Sequence, residues 1–340
     1  MLDKIVEEDV KRICEEIIQD KFKGKSILIT GGAGFIGSWL CDVLFRLRAN
    51  VTCIDNLSTG KHENIDHLLG KKGFKFFQED VVDFKTNEKY DFILHLASRA
   101  SPEEYQKHPI ETLLANSFGT YHMLEMARKS GSIILYTSTS EVYGDAKVIP
   151  TPENYWGNVN PVGLRSPYDE GKRFGEALMM AYFREYGLDT RIVRIFNTYG
   201  PRLRADGHYA RAISRFILQA LSGKDITVYG DGSQTRSFCY ISDIIRGILL
   251  ALIKEGARGE VINIGNPQEM SILDLAKRIR EMTKSNSSII FQSLPEDDPK
   301  RRCPNITKAK EILGWEPKIG LDEGLKKTIN WFRYNLKINI

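Results

Sequence analysis

The fragment Tyr168-Asp-Glu-Gly-Lys172 places two side chains of complementary chemistry close together. A Tyr and a Lys four positions apart lie on one face of a helix. There the ammonium can lower the pKa of the phenol, so that the phenolate can serve as a base near neutral pH. Many helices carry this spacing by chance, with Tyr at the edge of the core and Lys in solvent. Two other segments support the catalytic interpretation: Thr139-Ser-Glu141, with its hydroxyl and carboxylate groups, and a glycine-rich turn upstream.

The glycine-rich turn belongs to the segment Ser26-Ile-Leu-Ile-Thr-Gly31-Gly-Ala-Gly34-Phe-Ile-Gly37. Its aliphatic run predicts a buried parallel strand. The glycines then allow a tight turn, close approach of the backbone to a pyrophosphate, and packing of a helix whose N-terminus attracts phosphates. Three glycines at this spacing are a weak signal alone. They gain weight because we predict a helix over Ser38–Leu47 and a second strand over Asn50–Ile54, which complete a βαβ unit.

Asp55, at the end of that second strand, favours NAD over NADP. Its carboxylate would accept hydrogen bonds from both hydroxyls of the adenosine ribose and would repel a 2′-phosphate. The neighbouring Asn56 offers no cation to relieve that repulsion. The sequence therefore predicts NAD as the cofactor.

The elements that must hold these residues alternate along the chain. Repeated alternation of strand and helix predicts an α/β fold, a Rossmann-type doubly wound parallel sheet that binds ligands at the carboxyl ends of its strands. The motifs named above fall at those ends or on the adjacent helix. We predict further strands at Phe74–Gln78, Tyr90–Leu94, Ser132–Tyr136 and Thr190–Phe196, and helices at Pro109–Lys129 and Ser166–Tyr186.

Beyond residue 197 the alternation becomes irregular. Gly200–Gly207 and Tyr229–Arg236 are rich in turn residues and arginine, which predicts parts of a smaller substrate-binding domain. Val261–Gly265 is predicted to return to the sheet. We therefore divide the chain into an N-terminal amphipathic helical extension (1–23), an NAD-binding domain (24–196, with return elements near 237–266) and a C-terminal substrate-binding domain (197–236 and 267–340).

The composition is that of an ordinary globular protein, with 42% hydrophobic and 27% charged residues among 340. A formal net charge of +4, without clusters of Lys, Arg and aromatic residues, argues against nucleic acid and suits a doubly anionic nucleotide substrate. Five cysteines without a C-x-x-C pair predict neither a disulfide framework nor a metal site. We expect them to be buried thiols in a reducing cytoplasm. No apolar run is long enough for a membrane span.

The first residues predict an amphipathic helix rather than a signal peptide. Charged residues are frequent between Met1 and Asp20. We expect the helix to dock on the body of the protein or on a partner. The apolar residues at helical spacing are Ile5, Val6, Val10, Ile13 and Ile17.

Taken together, these segments resemble the extended short-chain dehydrogenase/reductase family, whose members modify nucleotide sugars. The resemblance covers residues 24 to about 333. Its most specific motifs are those of the members that decarboxylate UDP-glucuronate to UDP-xylose. The matching stretches are Asp55-Asn-Leu-Ser-Thr-Gly60, His95-Leu-Ala-Ser98, Ala100-Ser-Pro102, Ser138-Thr-Ser-Glu-Val-Tyr-Gly-Asp145, Tyr168-Asp-Glu-Gly-Lys-Arg173, Ile195-Phe-Asn-Thr198, Gly232-Ser-Gln-Thr-Arg236, Asp297-Asp-Pro-Lys-Arg-Arg302 and Leu313-Gly-Trp-Glu-Pro317.

The resemblance implies a redox cycle at C4 of the sugar. Tyr168 as phenolate would remove the proton of an O4 hydroxyl held by Thr139 while hydride leaves C4 for NAD. Lys172 would hold the nicotinamide ribose. The resulting 4-ketone with a carboxylate on C5 is a β-keto acid, which loses CO2 readily because the electrons flow into the ketone. Glu141, with Ser140 beside it, would handle protons at C5 before hydride returns to C4.

The resemblance also implies which residues contact each ligand. Arg236 is our candidate for the charged catalytic group that meets the carboxylate or the diphosphate. No metal ion is expected, and helices near 109–129 and 166–186 are expected to pair in a homodimer. The expected substrate contacts are Asn197, Arg211, Arg236 and Arg302. The expected cofactor contacts are Gly31, Gly34, Phe35, Ile36, Gly37, Asp55, Asn56, Thr59, Asp80, Val81, Leu96, Ser98, Tyr168, Lys172 and Thr198.

The pair Ser140-Glu141 separates the decarboxylase from its sibling reactions. Sugar 4,6-dehydratases typically carry Asp before Glu, to protonate the departing hydroxyl, and Ser140 is no comparable acid. Typical 4-epimerases need no acid at either position. The open alternatives are a 4-epimerase of UDP-glucuronate or UDP-glucose, a nucleotide-sugar 4,6-dehydratase and a non-catalytic NAD-binding protein. Glu141 as a solvated turn residue and Arg236 as a structural one also stay open. Arg99 and Leu114 replace a Pro and a Lys that the decarboxylases usually carry.

Overall fold

The computed structural model describes residues 3–204, 211–294 and 300–335. The segments 205–210 and 295–299, which hold part of the arginine-rich loop and the start of the Asp297-Asp298 motif, lie outside the described residues. The strands are β1 (Ser26–Thr30), β2 (Asn50–Ile54), β3 (Phe74–Phe77), β4 (Phe92–His95), β5 (Ile133–Thr139), β6 (Thr190–Ile195), β7 (Thr198–Tyr199), β8 (Ile226–Tyr229), β9 (Thr235–Ser237), β10 (Cys239–Tyr240), β11 (Val261–Ile264), β12 (Glu269–Ser271), β13 (Ile289–Gln292) and β14 (Arg301–Arg302).

Seven parallel strands form the central sheet in the spatial order β3-β2-β1-β4-β5-β6-β11. The chain moves outward in both directions from β1, which is the strand order of a dinucleotide-binding sheet. The α-helices of the described residues are α1 (Lys4–Glu16), α2 (Phe35–Arg46), α3 (Pro102–Lys107), α4 (Pro109–Leu114), α5 (Thr120–Ser130), α6 (Ser166–Tyr186), α7 (Ala212–Leu221), α8 (Ile241–Ile253), α9 (Ile272–Thr283) and α10 (Leu321–Asn335).

Helices cover both faces of this sheet. One buried cluster contains Trp39 of α2 and Ile248 of α8. A second, on the other face, joins Met123 of α5 and Met179 of α6 to Ile134 of β5. Strands covered on both faces need aliphatic side chains at nearly every position, which explains their continuous apolar runs. The predicted doubly wound α/β fold is confirmed.

Beyond the large sheet, the described residues form three small ones. β9 lies between β12 and β14, β13 pairs with β8, and β10 pairs with β7. The expected return to the large sheet is made by β11, which pairs with β6 from Val261↔Ile192 onward. The proposed boundary near residue 196 falls where the large sheet gives way to the small ones, and the division into domains stays a prediction.

Some predicted boundaries were wrong. β5 extends past the predicted end at Tyr136, because its pairing with β6 continues to Thr139↔Ile195. Thr139 is therefore the last residue of a central strand and not part of a loop. The predicted helix over 109–129 is divided by a wider turn, Ala115–Gly119, between α4 and α5. The short helix α3 was not predicted.

The N-terminal helix α1 docks on the body of the protein, which is one of the two docking sites that we predicted for it, the other being a partner. Val6, Val10 and Ile13 are at most 2% exposed and join the larger core cluster. Asp9 on the same face accepts a hydrogen bond from the hydroxyl of Tyr240 (2.8 Å). The five cysteines are buried and unpaired. Within the described ranges, every helix is too short or too polar to cross a membrane.

Candidate active site

The carboxyl ends of the large sheet surround a cavity of about 750 Å³. All of the predicted catalytic, cofactor and substrate residues line it, although they come from segments far apart in the sequence. They are Gly31, Gly34, Phe35, Ile36, Gly37, Asp55, Asn56, Thr59, Asp80, Val81, Leu96, Ser98, Thr139, Ser140, Glu141, Tyr168, Lys172, Asn197, Thr198, Arg211, Arg236 and Arg302.

The glycine-rich turn between β1 and α2 is shaped for close contact with a ligand. Gly31 has a φ of 68°, a conformation that favours glycine. A Cβ on Gly37 would lie 2.2 Å from the carbonyl oxygen of Gly31, so a larger residue would push α2 away from the turn. The first residues of α2 line the cavity, and the free N–H groups of a helix N-terminus attract phosphate. The turn therefore fits the pyrophosphate of a dinucleotide.

The carboxylate of Asp55, the predicted acceptor for the adenosine ribose, is held in place by two backbone N–H groups. The backbone N–H of Ala33 donates to Oδ2 (2.9 Å) and that of Leu57 donates to Oδ1 (2.8 Å). Each oxygen keeps acceptor capacity for a ribose hydroxyl. A Cβ on Gly60 would lie 2.7 Å from Oδ2, so glycine keeps this space open. Burial raises the pKa of Asp55 above its ordinary value, even though the N–H donors lower it.

Hydrogen bonds also join the walls of the cofactor side of the cavity. Asn56 Nδ2 donates to Asp80 Oδ2 (2.7 Å), which connects the loops after β2 and β3. Asn116 Nδ2 donates to Ser98 Oγ (3.0 Å), which fixes the loop after β4. The cofactor residues predicted on different loops are thus held relative to one another.

Tyr168, in the first turn of α6, is buried against the end of β5. Its hydroxyl hydrogen-bonds the hydroxyl of Thr139. The ring of Tyr105 stacks on it, with centroids 5.3 Å apart and 4° between the planes. Burial raises the pKa of Tyr168 to about 12, although the hydrogen bond with Thr139 lowers it. The phenol is therefore neutral near pH 7 in the free protein.

Lys172 lies one helical turn further along α6 and is also buried. Its Nζ donates to the carbonyl of Thr137 (2.9 Å) and lies 6.0 Å from the centroid of the Tyr168 ring. Burial lowers the pKa of Lys172 to about 7, although Glu176 raises it. We predicted that this ammonium lowers the pKa of Tyr168. In the free protein that prediction is wrong, because burial dominates both groups and leaves the amine only partly charged near neutral pH.

Glu141 is held between two arginines. Arg302 binds both carboxylate oxygens, with Nη2 2.9 Å from Oε2, and Arg165 binds Oε2 from the start of α6. Burial alone would raise the pKa of Glu141. The two guanidinium groups outweigh that effect and lower the pKa to about 2. Glu141 is therefore a carboxylate at neutral pH whose side chain is only 17% exposed, and its alternative interpretation as a solvated turn residue is wrong.

The predicted substrate side of the cavity is rich in arginine. Arg236 and Arg302 are register partners in the parallel pair of β9 and β14, and both are mostly buried. Arg236 Nη1 donates to the carbonyl of Thr235 (2.9 Å). Asn197 Nδ2 is buried without a hydrogen-bond partner among the described residues. A buried donor of this kind calls for a ligand or a water.

A model of the NAD dependent epimerase/dehydratase family matches residues 27–265, which include the glycine-rich turn and the Tyr168–Lys172 pair. The chain belongs to this family. UDP-glucuronic acid decarboxylase 1 of Xenopus tropicalis is 49% identical over 313 residues, which are 92% of this chain and 73% of that protein. The structure of UDP-glucose 4-epimerase from Thermotoga maritima with UDP-glucose is 34% identical, with a TM-score of 0.84 over 92% of this chain and 99% of its own. UDP-glucuronic acid 4-epimerase from Bacillus cereus, solved with UDP-glucuronic acid and NAD, is 32% identical, with a TM-score of 0.82 over 91% and 99%.

Sequence reasoning missed two residues of this epimerase/dehydratase site. Arg165 binds Glu141 and lies 3.8 Å from Asp169, yet an arginine in the turn before a helix is too common to be singled out. Its position three residues before Tyr168 was the available signal. Tyr105 stacks on Tyr168, but it lies on the helix α3 that was not predicted.

Proposed function

We propose that the protein is an NAD-dependent lyase that converts UDP-glucuronate to UDP-xylose through a 4-keto intermediate. The observation that carries this proposal is the charge at the substrate end of the cavity. Three guanidinium groups, from Arg165, Arg236 and Arg302, line it together with one paired carboxylate, Glu141. The surplus of positive charge suits an anionic sugar and its diphosphate. Relatives named UDP-glucuronic acid decarboxylase at 47–49% identity support the same assignment.

The residues at the end of β5 and the start of α6 act on C4 of the sugar. In the proposal, Thr139 orients the O4 hydroxyl and Tyr168 takes its proton, because the two side chains already share a hydrogen bond. Bound NAD would supply a hydride acceptor, then a donor, and a positive charge on its nicotinamide ring. That charge favours the phenolate and offsets the burial that raises the pKa of Tyr168. Lys172 would hold the nicotinamide ribose.

Loss of CO2 then needs no acid. The electrons of the breaking C5–carboxylate bond move into the C4 ketone, and Thr139 and Tyr168 stabilise the resulting oxyanion by hydrogen bonding. Because its pKa is about 2, Glu141 remains a carboxylate throughout. Glu141 therefore donates no proton itself: it orients Arg165 and Arg302, and the proton that C5 gains after CO2 has left comes from water. Ser140, which is buried beside it, cannot act as the acid of a dehydratase.

Epimerisation at C4 is the competing reaction, and the similarity to solved 4-epimerases favours it as the second candidate. It starts with the same oxidation. The ketone then turns and is reduced on its other face, and a C5 carboxylate stays in place. The two reactions therefore differ in whether CO2 leaves.

The deciding experiment incubates the purified protein with NAD and UDP-glucuronate and follows CO2 and the nucleotide sugars. We expect release of CO2 and formation of UDP-xylose. UDP-glucose, which has no carboxylate, is the matched control and should give only slow oxidation at C4. Conversion of UDP-glucuronate to UDP-galacturonate without CO2 would replace the decarboxylase with the epimerase.

We also propose that the protein is a homodimer in the cytoplasm. Apolar side chains on α4, α5 and the turn between them are exposed, among them Ile110 (68%) and Phe118 (55%). Exposed apolar surface of this extent on adjacent helices suits a twofold interface. The unpaired thiols of the cysteines suit a reducing compartment.

A further inference from the structure

A buried polar network lies behind the catalytic end of β5. Its centre is Glu176, one helical turn after Lys172 on α6. Arg194 of β6 binds both carboxylate oxygens of Glu176, with Nε–Oε1 at 2.8 Å and Nη2–Oε2 at 2.6 Å. The hydroxyl of Ser138 donates to Oε1 (2.5 Å). Ser138 immediately precedes Thr139, so Glu176 ties the helix that carries Tyr168 and Lys172 to the strand end that carries Thr139.

The network continues from Arg194 beneath the turn that carries Glu141. Arg194 Nη1 donates to the hydroxyl of Tyr143 (2.8 Å), and its guanidinium lies 4.7 Å from the centroid of that ring. The Tyr143 hydroxyl donates in turn to Asn263 Oδ1 on β11 (2.8 Å). Both ends of the Glu141 turn are therefore fixed, through Ser138 before it and Tyr143 after it.

The same network reaches the segment that carries Arg302. Asn263 Nδ2 donates to the carbonyls of Thr151 (3.0 Å) and Asn305 (3.1 Å). The backbone of Thr151 exchanges hydrogen bonds with this segment, since its N–H donates to Cys303 and its carbonyl accepts from Asn305. This segment, Cys303–Asn305, follows Arg302 directly in the sequence. One continuous set of contacts thus connects α6, both flanks of Glu141 and the arginine that binds it.

We propose that Glu176 and Arg194 form a positioning pair that aligns Thr139 and Glu141 with the residues on α6, and that the Glu176 carboxylate, one helical turn from Lys172 on the same face of α6, is the counter-charge of that amine. This inference rests on the proposed function only in assigning Lys172 to the nicotinamide ribose. It adds to the site two residues that do not line the cavity and touch no substrate.

The surroundings of Lys172 single out Glu176 as its counter-charge. Burial lowers the pKa of Lys172, and Glu176 acts in the opposite direction. The other titratable groups facing this amine are neutral near pH 7. Burial raises the pKa of Tyr136 on β5 and of Tyr168 on α6, and burial and then Lys172 lower the pKa of His95 on β4 to about 3. The turn at 115–119 and the start of α5 also pack on α6. Their polar side chains there are Asn116 and Thr120, which do not titrate.

The test measures NAD affinity against pH in the absence of any sugar. Affinity should fall as the pH rises through the pKa of Lys172, because a neutral amine donates a weaker hydrogen bond. In Glu176→Gln the pKa of Lys172 loses the contribution that raises it, so the midpoint of the fall should move down by about 1 unit or more. Arg194→Lys keeps the carboxylate, so its midpoint should not move down. Lys172→Met should remove the pH-dependent step and so assign it to this amine.

Both Glu176→Gln and Arg194→Lys should also lower kcat, by about 10-fold or more, because either change loosens the alignment of Thr139. Equal effects on NAD affinity in the two variants with no shift of the midpoint would show a purely structural pair and overturn the proposal. If Glu176→Gln does not fold, the double variant Glu176→Gln/Arg194→Met removes both buried charges and should show a smaller downward shift, because the positive charge of Arg194, which acts in the opposite direction, is lost as well. Because the midpoint is measured without sugar, it is independent of whether the enzyme decarboxylates or epimerises its substrate.

Discussion

The hydroxyl of Tyr168 is the atom whose removal should slow the reaction most. Tyr168→Phe keeps the ring stacked on Tyr105 and removes the proton acceptor, so binding should persist while turnover falls about 10²- to 10⁴-fold. Tyr105→Phe is the matched control, because the Tyr105 hydroxyl has no hydrogen-bond partner among the described residues. Steady-state kinetics check both. More than a tenth of the native rate in Tyr168→Phe would show that another group is the base.

Asp55 should set the choice of cofactor. Asp55→Ala removes both the acceptor for the ribose hydroxyls and the charge that repels a 2′-phosphate. NAD should bind more weakly, by about 1.5–3 kcal/mol, and the preference for NAD over NADP should narrow. Asn56→Ala, on the next residue, is the control: it removes a polar group without a charge and should keep the preference. Titration of both cofactors measures the effect, and an unchanged preference in Asp55→Ala would place selectivity elsewhere.

Glu141 should matter after the first oxidation. Glu141→Gln removes the charge that Arg165 and Arg302 share, so the bound substrate should still reduce some NAD while UDP-xylose forms about 10²-fold more slowly. Absorbance of reduced NAD and product chromatography separate the two steps. Since the Arg pairing requires the carboxylate, it is lost only as the pH falls through about 2. In the pH–activity profile of the native protein, titration of Glu141 should therefore cause no change in activity between about pH 5 and 9. Full activity of Glu141→Gln would exclude it from the mechanism.

At the scale of elements, the sequence predicts what is encoded locally. The glycine-rich turn and Asp55 lie within one βαβ unit, and α6 was predicted with its observed ends, because each depends on neighbouring residues. The pairing of Glu141 with Arg302 joins residues 161 positions apart and depends on where β14 lies beside β9. The periodicity of apolar residues in the sequence does not indicate a contact between such distant residues. The same holds for the pKa of Lys172, because burial by the packed helix, and not the spacing to Tyr168, determines it.

The N-terminal helix α1 should contribute to stability through Asp9. Its carboxylate is 1% exposed and accepts hydrogen bonds from Tyr240 (2.8 Å) and Arg12 (3.1 Å), with Lys327 bound as well. Asp9→Ala leaves these donors without their acceptor, so the free energy of unfolding should fall by about 3 kcal/mol. Glu8→Ala, on the exposed face of the same helix, should change it by less than about 0.5 kcal/mol. Urea unfolding compares the two, and equal effects would mean that α1 is only loosely attached.

At the scale of the whole molecule, the fold concentrates charge that the composition hides. A net charge of +4 over 340 residues suits an anionic ligand but does not show where the positive charge is concentrated. The parallel sheet brings the ends of its strands to one edge, and the small sheets add Arg236 and Arg302 opposite them. The cavity therefore has a dinucleotide side built from the first half of the chain and a cationic side that needs both halves. The glycine-rich turn and Asp55 of the first side could be predicted from neighbouring residues, whereas the pairing on the cationic side depends on contacts between distant ones.

Assembly of the whole molecule can be tested on its exposed apolar surface. Phe118 lies in the turn between α4 and α5 and is 55% exposed, and Phe174 on the neighbouring α6 is 50% exposed. If these helices pair across a twofold axis, Phe118→Glu places two carboxylates in the apolar interface, where each loses hydration without a partner. We expect the native protein at twice its chain mass of 38.7 kDa in light scattering, and Phe118→Glu at the monomer mass. Tyr334→Glu, at a 76% exposed position on α10, is the control and should stay dimeric. A monomeric native protein, or a dimer that Phe118→Glu leaves intact, would rule out this interface.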